Sequence, residues 1–279
     1  MILSLVITAM ALAMMVWLAI RLKRQVRREQ QLRQEAEESE QQALREQERN
    51  RQLKQEMTNN IAHELKTPVS SIRGFLEILL GDRPVTEAQR RDFLERCYRQ
   101  TLRLSDLIND VSLINKLEEA NDLFVREAVN LRRSAEEAIL ELKPHAAAQH
   151  ITIHDQLPEN LDTQGNGLLM YSIFRNLIEN AIMHAGEGVE VTLRCYKPAD
   201  ETHYYISLSD TGCGVDNEYL PRLFDRFLRI DKGRSRKNGG TGLGLSIVKH
   251  AVLFHGGNIY AKNRDGGGLE LFFSIEKKK

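Results

Sequence analysis

Two stripes of residues constrain this chain more than anything else in it. Thr58, Ile61, Leu65, Pro68, Ile72, Phe75 and Leu79 recur at 3-4-3-4-3-4 spacing. After a turn at Gly81–Pro84, so do Leu94, Cys97, Thr101, Leu104, Ile108, Val111 and Asn115. That period marks one narrow apolar face on each of two α-helices. Thr86-Glu87-Ala88-Gln89 reads as a capping box that opens the second helix. Two antiparallel helices with seams this narrow cannot bury both stripes alone, so the pattern predicts a homodimeric four-helix bundle over residues 57–120. Pro68 removes a backbone hydrogen bond inside the first helix and is expected to bend it.

Upstream, residues 1–20 carry no charge, Gly or Pro. At ~1.5 Å per residue they make a helix of about 30 Å, enough to cross a bilayer. A signal peptide would need a basic residue before the apolar run and a small-residue cleavage site. No basic residue precedes this run, and Ala19-Ile20-Arg21 is a poor cleavage context. Arg21, Lys23, Arg24, Arg27, Arg28 and Arg33 follow at once, a collar that stays cytoplasmic. The expectation is a single-pass protein of the inner (cytoplasmic) membrane, with everything from Arg21 onward cytoplasmic. Its input then comes from the cytoplasm or the membrane itself, or a natural upstream segment is missing. Residues 21–56 read as a helical linker. Ala36, Ala43, Asn50 and Met57 recur every seven residues in it, a thin coiled-coil seam.

From about Asn121 the helical period gives way to alternation. Asn130 can cap a helix over 131–149, and further helices are expected over 167–184 and 245–255. Ile151–His154, Val189–Cys195, Tyr204–Ser209, Asn258–Ala261 and Leu269–Ser274 read as strands. Residues 121–277 therefore form an α/β sandwich, and the whole chain is α+β. Composition narrows the function. With 39 Lys+Arg against 39 Asp+Glu the net charge is zero, which excludes a generally cationic nucleic-acid binder and an acidic disordered tail. Aromatics are only 6%, too few for a stacking-based single-strand binder. Cys97, Cys195 and Cys213 are scattered without a CxxC and read as reduced thiols.

Four places carry chemistry. His63 lies two residues from both Ile61 and Leu65, about 200° around the helix from the seam, so it faces outward as an available imidazole nucleophile. Glu64 is adjacent, able to hold the tautomer or take its proton, and Thr67 lies one turn on. Asn176 and Asn180 sit one turn apart on the polar face of an amphipathic helix, and an amide oxygen suits Mg²⁺ shared with nucleotide phosphates. Asp210-Thr211-Gly212-Cys213-Gly214 puts a carboxylate at a strand end, before glycines that let the backbone approach a flat heterocycle. Gly239-Gly240-Thr241-Gly242-Leu243-Gly244 runs into a helix N-terminus that offers backbone N–H groups to an anion. Arg229, Lys232, Arg234, Arg236 and Lys237 lie just upstream, a basic segment that reads as a lid.

The stretches Asn60–Pro68, Asn176–Ala181, Asp210–Gly214, Leu223–Phe227 and Gly240–Leu245, in this order, resemble the H, N, G1, F and G2 boxes of two-component sensor histidine kinases. The resemblance covers roughly residues 50–276. It implies a dimeric hairpin bearing the phospho-acceptor, then a sandwich of the Bergerat (GHKL) type shared with gyrase and Hsp90. It implies His63 as phospho-acceptor, Glu64 as its acid/base neighbour, and Thr67 positioning water for dephosphorylation of a partner. ATP and Mg²⁺ are implied as ligands. Asn180 would hold Mg²⁺, Asn176 would lie beside the phosphates, and Asp210 would meet the adenine amino group. Gly212 and Gly214 would lie at the base. Phe224 and Phe227 of the F stretch, and Gly240, Thr241, Gly242, Leu243 and Gly244, would complete the nucleotide site. The implied partners are the receiver domain of a separate response regulator, a second copy of the chain and membrane lipid, with no direct nucleic acid. Two positions depart from the family: Met183 stands where a phosphate-meeting Lys is usual, and Asn166 where many relatives carry an acid. Two other readings use the same residues. A GHKL-type ATPase would keep hydrolysis in His63→Ala without forming a phosphoprotein. A membrane scaffold or phosphatase with little kinase activity would gain autophosphorylation in Met183→Lys.

Overall fold

The computed structural model describes residues 2–81, 84–119, 124–196, 202–230 and 240–277. Within the first helix, side chains are described at positions 14, 15, 17, 18, 21–24, 28, 34, 39–49, 51, 52 and from 54 onward. Two compact units divide the chain, Met1–Ile61 and Ala62–Lys279.

Helix α1 spans Ile2–Leu80, and the first unit lies within it. Its Gln-, Glu- and Arg-rich stretch, free of Gly and Pro, favours helix, and residues 39–49 are exposed throughout. Among the described residues no helix is long and apolar enough to cross a membrane. The expected span over 1–20 falls mostly on side chains outside that set. So do Ala36 and Asn50 of the expected seven-residue seam, while Ala43 is exposed and Met57 half-buried.

In the second unit, the end of α1 pairs with α2 (Glu87–Glu119). The capping box forms as expected: Thr86 N–H donates to Gln89 Oε1 at 3.0 Å and Gln89 N–H to Thr86 Oγ1 at 3.2 Å. Asp82 and Arg83 of the expected turn lie outside the described residues. Pro68 is buried inside α1. The second stripe divides in two. Cys97, Leu104 and Val111 are half-buried towards α1, with Cys97 Sγ 3.8 Å from the Ile72 carbonyl and Phe75 stacked on Phe93 at 5.7 Å. Leu94, Thr101, Ile108 and Asn115 remain exposed. A third line, Leu107, Ile114 and Leu117, is buried on the side where α2 meets the sandwich.

The sandwich has a five-stranded sheet in the order β2-β4-β5-β7-β6. Its strands are β2 (Thr152–Gln156), β4 (Glu190–Tyr196), β5 (His203–Asp210), β6 (Ile259–Asn263) and β7 (Leu269–Glu276). Only β2 and β4 run parallel. Helices α3 (Leu131–Ala148), α4 (Gly167–His184) and α5 (Gly244–Phe254) complete the core. Alternation along β7 puts Leu269, Leu271, Phe273 and Ile275 in the core. Phe273 meets Phe174 of α4 edge-on at 5.8 Å. Burial of each such side chain contributes about 1.5–3 kcal/mol. Asn130 caps α3 by accepting from Arg133 N–H at 3.1 Å. Asn166, the second departure, caps α4 in the same way through Leu169 N–H at 3.2 Å. A separate antiparallel pair, β1 (Glu127–Asn130) with β3 (Asp162–Gly165), was not anticipated.

His255 ties two functional helices together. It is 1% exposed at the end of α5, gives Nδ1–H to the Ala251 carbonyl at 2.7 Å and accepts Asn166 N–H on Nε2 at 3.0 Å. Burial pushes its pKa down to about 4, helped by Arg126 and opposed by the Ala251 bond. His250, also on α5, is pushed down to about 4 by burial and by Arg226 and Lys249. A free histidine titrates near 6.5. As pH falls the unfolded chain therefore takes up protons first, and stability is lost progressively from about pH 6.5 towards 4. Burial also raises Asp110, to about 6, and Asp210; both act in the opposite sense, chiefly at lower pH than the 6.5 at which the two unfolded histidines begin to take up protons. Urea midpoints should fall between about pH 7 and 5, and His255→Gln should flatten that dependence.

Candidate functional site

The hairpin contribution comes from one turn of α1. His63 has a side chain 64% exposed, as its position opposite the seam requires, with Nδ1 3.9 Å from Glu64 Oε1. Thr67 gives its hydroxyl proton to the His63 carbonyl at 3.3 Å, a back-bond within the helix. Glu64 is turned towards α2 and the sandwich. Arg229 donates to both of its oxygens at 3.1 and 3.0 Å, and Arg103 of α2 approaches to 3.5 Å.

On the sandwich, Asp210 ends β5 and is 5% exposed. Its Oδ1 accepts Gly212 N–H at 2.8 Å and Leu269 N–H at 3.3 Å, while Arg264 holds its backbone carbonyl at 2.6 Å. Burial raises its pKa, and the two amides and Arg264 oppose that. One carboxylate oxygen is thus fixed by backbone, a geometry that can present the other to an amino donor. The glycine at 212 also has a packing reason that its motif does not show. A Cβ there would lie 2.2 Å from the Ala185 carbonyl oxygen, so the end of α4 demands glycine. The wall behind Asp210 comes from residues that no motif marked. Asn263 brackets Val215, accepting its N–H at 2.9 Å and donating to its carbonyl at 2.6 Å. Gly268 passes so close that a Cβ would lie 1.9 Å from the Asp210 carbonyl oxygen.

Asn176 and Asn180 lie on α4, both half-buried. Asn176 donates to Ser172 at its carbonyl (2.8 Å) and hydroxyl (3.1 Å), leaving Oδ1 beside Gly244 at the start of α5. The Asn180 amide makes no hydrogen bond among the described residues, so its oxygen can serve a hard cation. Among them no cluster of His, Cys, Asp and Glu could hold a metal by itself, so such an ion needs phosphate oxygens as further ligands. Gly240 lies against the Met183 methyl.

The F and G2 stretches interlock. Phe227, held at φ 59°, gives its N–H to the Gly242 carbonyl at 2.8 Å. Phe224 joins the core, and Leu243 is fully buried. Arg226 lies 3.2 Å from His250 Nε2. The Thr241 hydroxyl accepts Leu243 N–H at 3.2 Å and donates to Asp110 of α2 at 3.0 Å. Arg229 also donates to the Gly240 carbonyl. Lys232, Arg234, Arg236 and Lys237 of the expected lid lie outside the described residues.

Residues 53–120 match the His Kinase A (phospho-acceptor) domain family. Residues 165–279 match the histidine kinase-, DNA gyrase B- and HSP90-like ATPase family. The sensor histidine kinase WalK of Bacillus subtilis is 33% identical over 235 residues, which is 84% of this chain and 38% of WalK. The chain belongs to the sensor histidine kinases. Another member, the sensor-like histidine kinase SenX3 of Mycolicibacterium smegmatis, is 34% identical over 77% of this chain and 56% of its own length. This sensor histidine kinase chain thus spans less than two thirds of either relative. In fold it resembles the histidine kinase ThkA solved in complex with response regulator protein TrrA, with a TM-score of 0.62 over 80% of this chain and 61% of that one at 22% identity.

Proposed function

We propose that the chain phosphorylates His63 from Mg-ATP and passes the phosphoryl group to an aspartate of a separate response regulator. The observation that carries this is His63, an imidazole 64% exposed on a paired helix, beside a carboxylate and within the same compact unit as the ATPase sandwich. In the reaction Nε2 of the imidazole attacks the γ-phosphorus of ATP, the bond from that phosphorus to the β–γ bridging oxygen breaks so that ADP leaves, and Glu64 accepts the proton released from Nδ1 of the ring. Asp210 selects the base through its unbonded oxygen, and Asn176 and the N-terminus of α5 orient the phosphates. Asn180 would hold Mg²⁺, which when bound neutralises charge between the β- and γ-phosphates. Thr67, one turn from His63, supports a further role in positioning water for removal of the partner's phosphoryl group.

A homodimer fits the exposed half of the second stripe, where Leu94 is 52% and Ile108 55% exposed in a single chain. Ile108→Glu would place a charge in that seam. It should convert the dimer to a monomer in light scattering, while Arg99→Glu, exposed and about 180° around α2 from Ile108, should not. The uncharged run 1–20 with its basic collar supports a single-pass anchor in the inner membrane with the catalytic part cytoplasmic. The testing experiment is incubation of the full chain with γ-labelled ATP and Mg²⁺. Label that is lost in acid and kept in base supports a phosphoimidazole. Acid-stable label, or ATP hydrolysis without label, favours the ATPase reading.

A further inference from the structure

We propose that the sandwich is latched onto the helical hairpin through Arg229 and Thr241, and that this latched form is a resting state which withholds Glu64 from His63. The proposal rests on the kinase reading above and adds a device to it. Two independent bonds cross from one part to the other. Arg229, 12% exposed, grips both oxygens of Glu64, which is 18% exposed. Thr241 gives its proton to Asp110 on the second helix of the hairpin. The two are also coupled on the sandwich side, because Arg229 holds the carbonyl of Gly240, the residue before Thr241.

The consequence for the chemistry is geometric. Glu64 Oε1 lies 3.9 Å from His63 Nδ1, beyond hydrogen-bonding range, while the same oxygen lies 3.1 Å from Arg229. A bidentate guanidinium–carboxylate pair is the strongest hold that either group can find among neutral and charged side chains. The acid that should serve His63 is thus engaged by the domain that delivers phosphate. A polyanion arriving beside Gly240 competes for the Arg229 guanidinium and favours the form in which Glu64 is released. A ligand that prefers the unlatched form shifts the population towards it by its difference in affinity.

Asp110 permits a test without touching the catalytic groups. Asp110→Ala removes the acceptor of Thr241, and Asp110→Asn keeps an acceptor oxygen at the same place. With the full chain and sub-saturating Mg-ATP, the initial autophosphorylation rate should rise about three- to tenfold in Asp110→Ala and stay near wild type in Asp110→Asn. A rate that is unchanged or lower in Asp110→Ala, with Mg-ATP binding intact, overturns the latch. Should Asp110→Ala fail to fold, hydrogen exchange on the unmodified chain decides. Adding Mg-ATP should speed exchange in the peptides around Glu64 and Asp110, and unchanged or slower exchange in both overturns the proposal. Absence of any histidine label in the wild-type chain would defeat the kinase reading, whereas the exchange measurement would still judge the latch.

Discussion

Gly268→Ala is expected to weaken Mg-ATP binding by about 100-fold or more while leaving the helical hairpin dimeric. Gly268 has φ 98°, where a Cβ is strained, and that Cβ would lie 1.9 Å from the Asp210 carbonyl oxygen and 2.8 Å from its carbon. Both are backbone atoms of the sheet and cannot rotate aside. Relief requires the start of β7 to move away from the end of β5. That movement removes Leu269 N–H from the Asp210 carboxylate and displaces Arg264 from its carbonyl. Titration calorimetry with Mg-ATP reads the loss, and light scattering reads the intact dimer. Wild-type affinity in the variant would mean that Asp210 does not recognise the base.

His63→Gln should show the complementary pattern: no label from γ-labelled ATP, with nucleotide affinity and stability unchanged. The imidazole is 64% exposed, so replacing it should change stability by no more than about 0.5 kcal/mol. Asn180→Ala should also lose label, but through weakened Mg-ATP binding. Mixed dimers of the two variants then separate two routes. Label in the mixture means that the sandwich of one protomer serves His63 of its partner, and no label means that each protomer serves itself.

What the sequence made legible were features with a local signature. The stripe period, the capping box at Thr86, the cap at Asn130 and the order of the five boxes depend on neighbours a few residues away. Strands β1 and β3 have four residues each and mostly polar side chains, so neither alternation nor apolar content marked them. The Arg229–Glu64 pair is 165 residues apart in sequence and Thr241–Asp110 is 131, separations at which charge pattern carries no information about contact. Leu107, Ile114 and Leu117 share α2 with the expected stripe, and only the fold shows that this helix has a second buried side. At Gly212 the pattern did not show that the Ala185 backbone already leaves no room for a side chain. Gly266-Gly267-Gly268 was visible as a run, but its contact with Asp210 is made by the fold.

The most direct test is to find which atom carries the phosphate. The full chain, incubated with Mg-ATP and digested at neutral to basic pH, should yield a phosphopeptide spanning His63 with the modification on the imidazole and none in His63→Gln. Phosphate on a hydroxyl or carboxylate side chain, or ATP turnover with no phosphopeptide at all, would contradict phosphoryl transfer to His63.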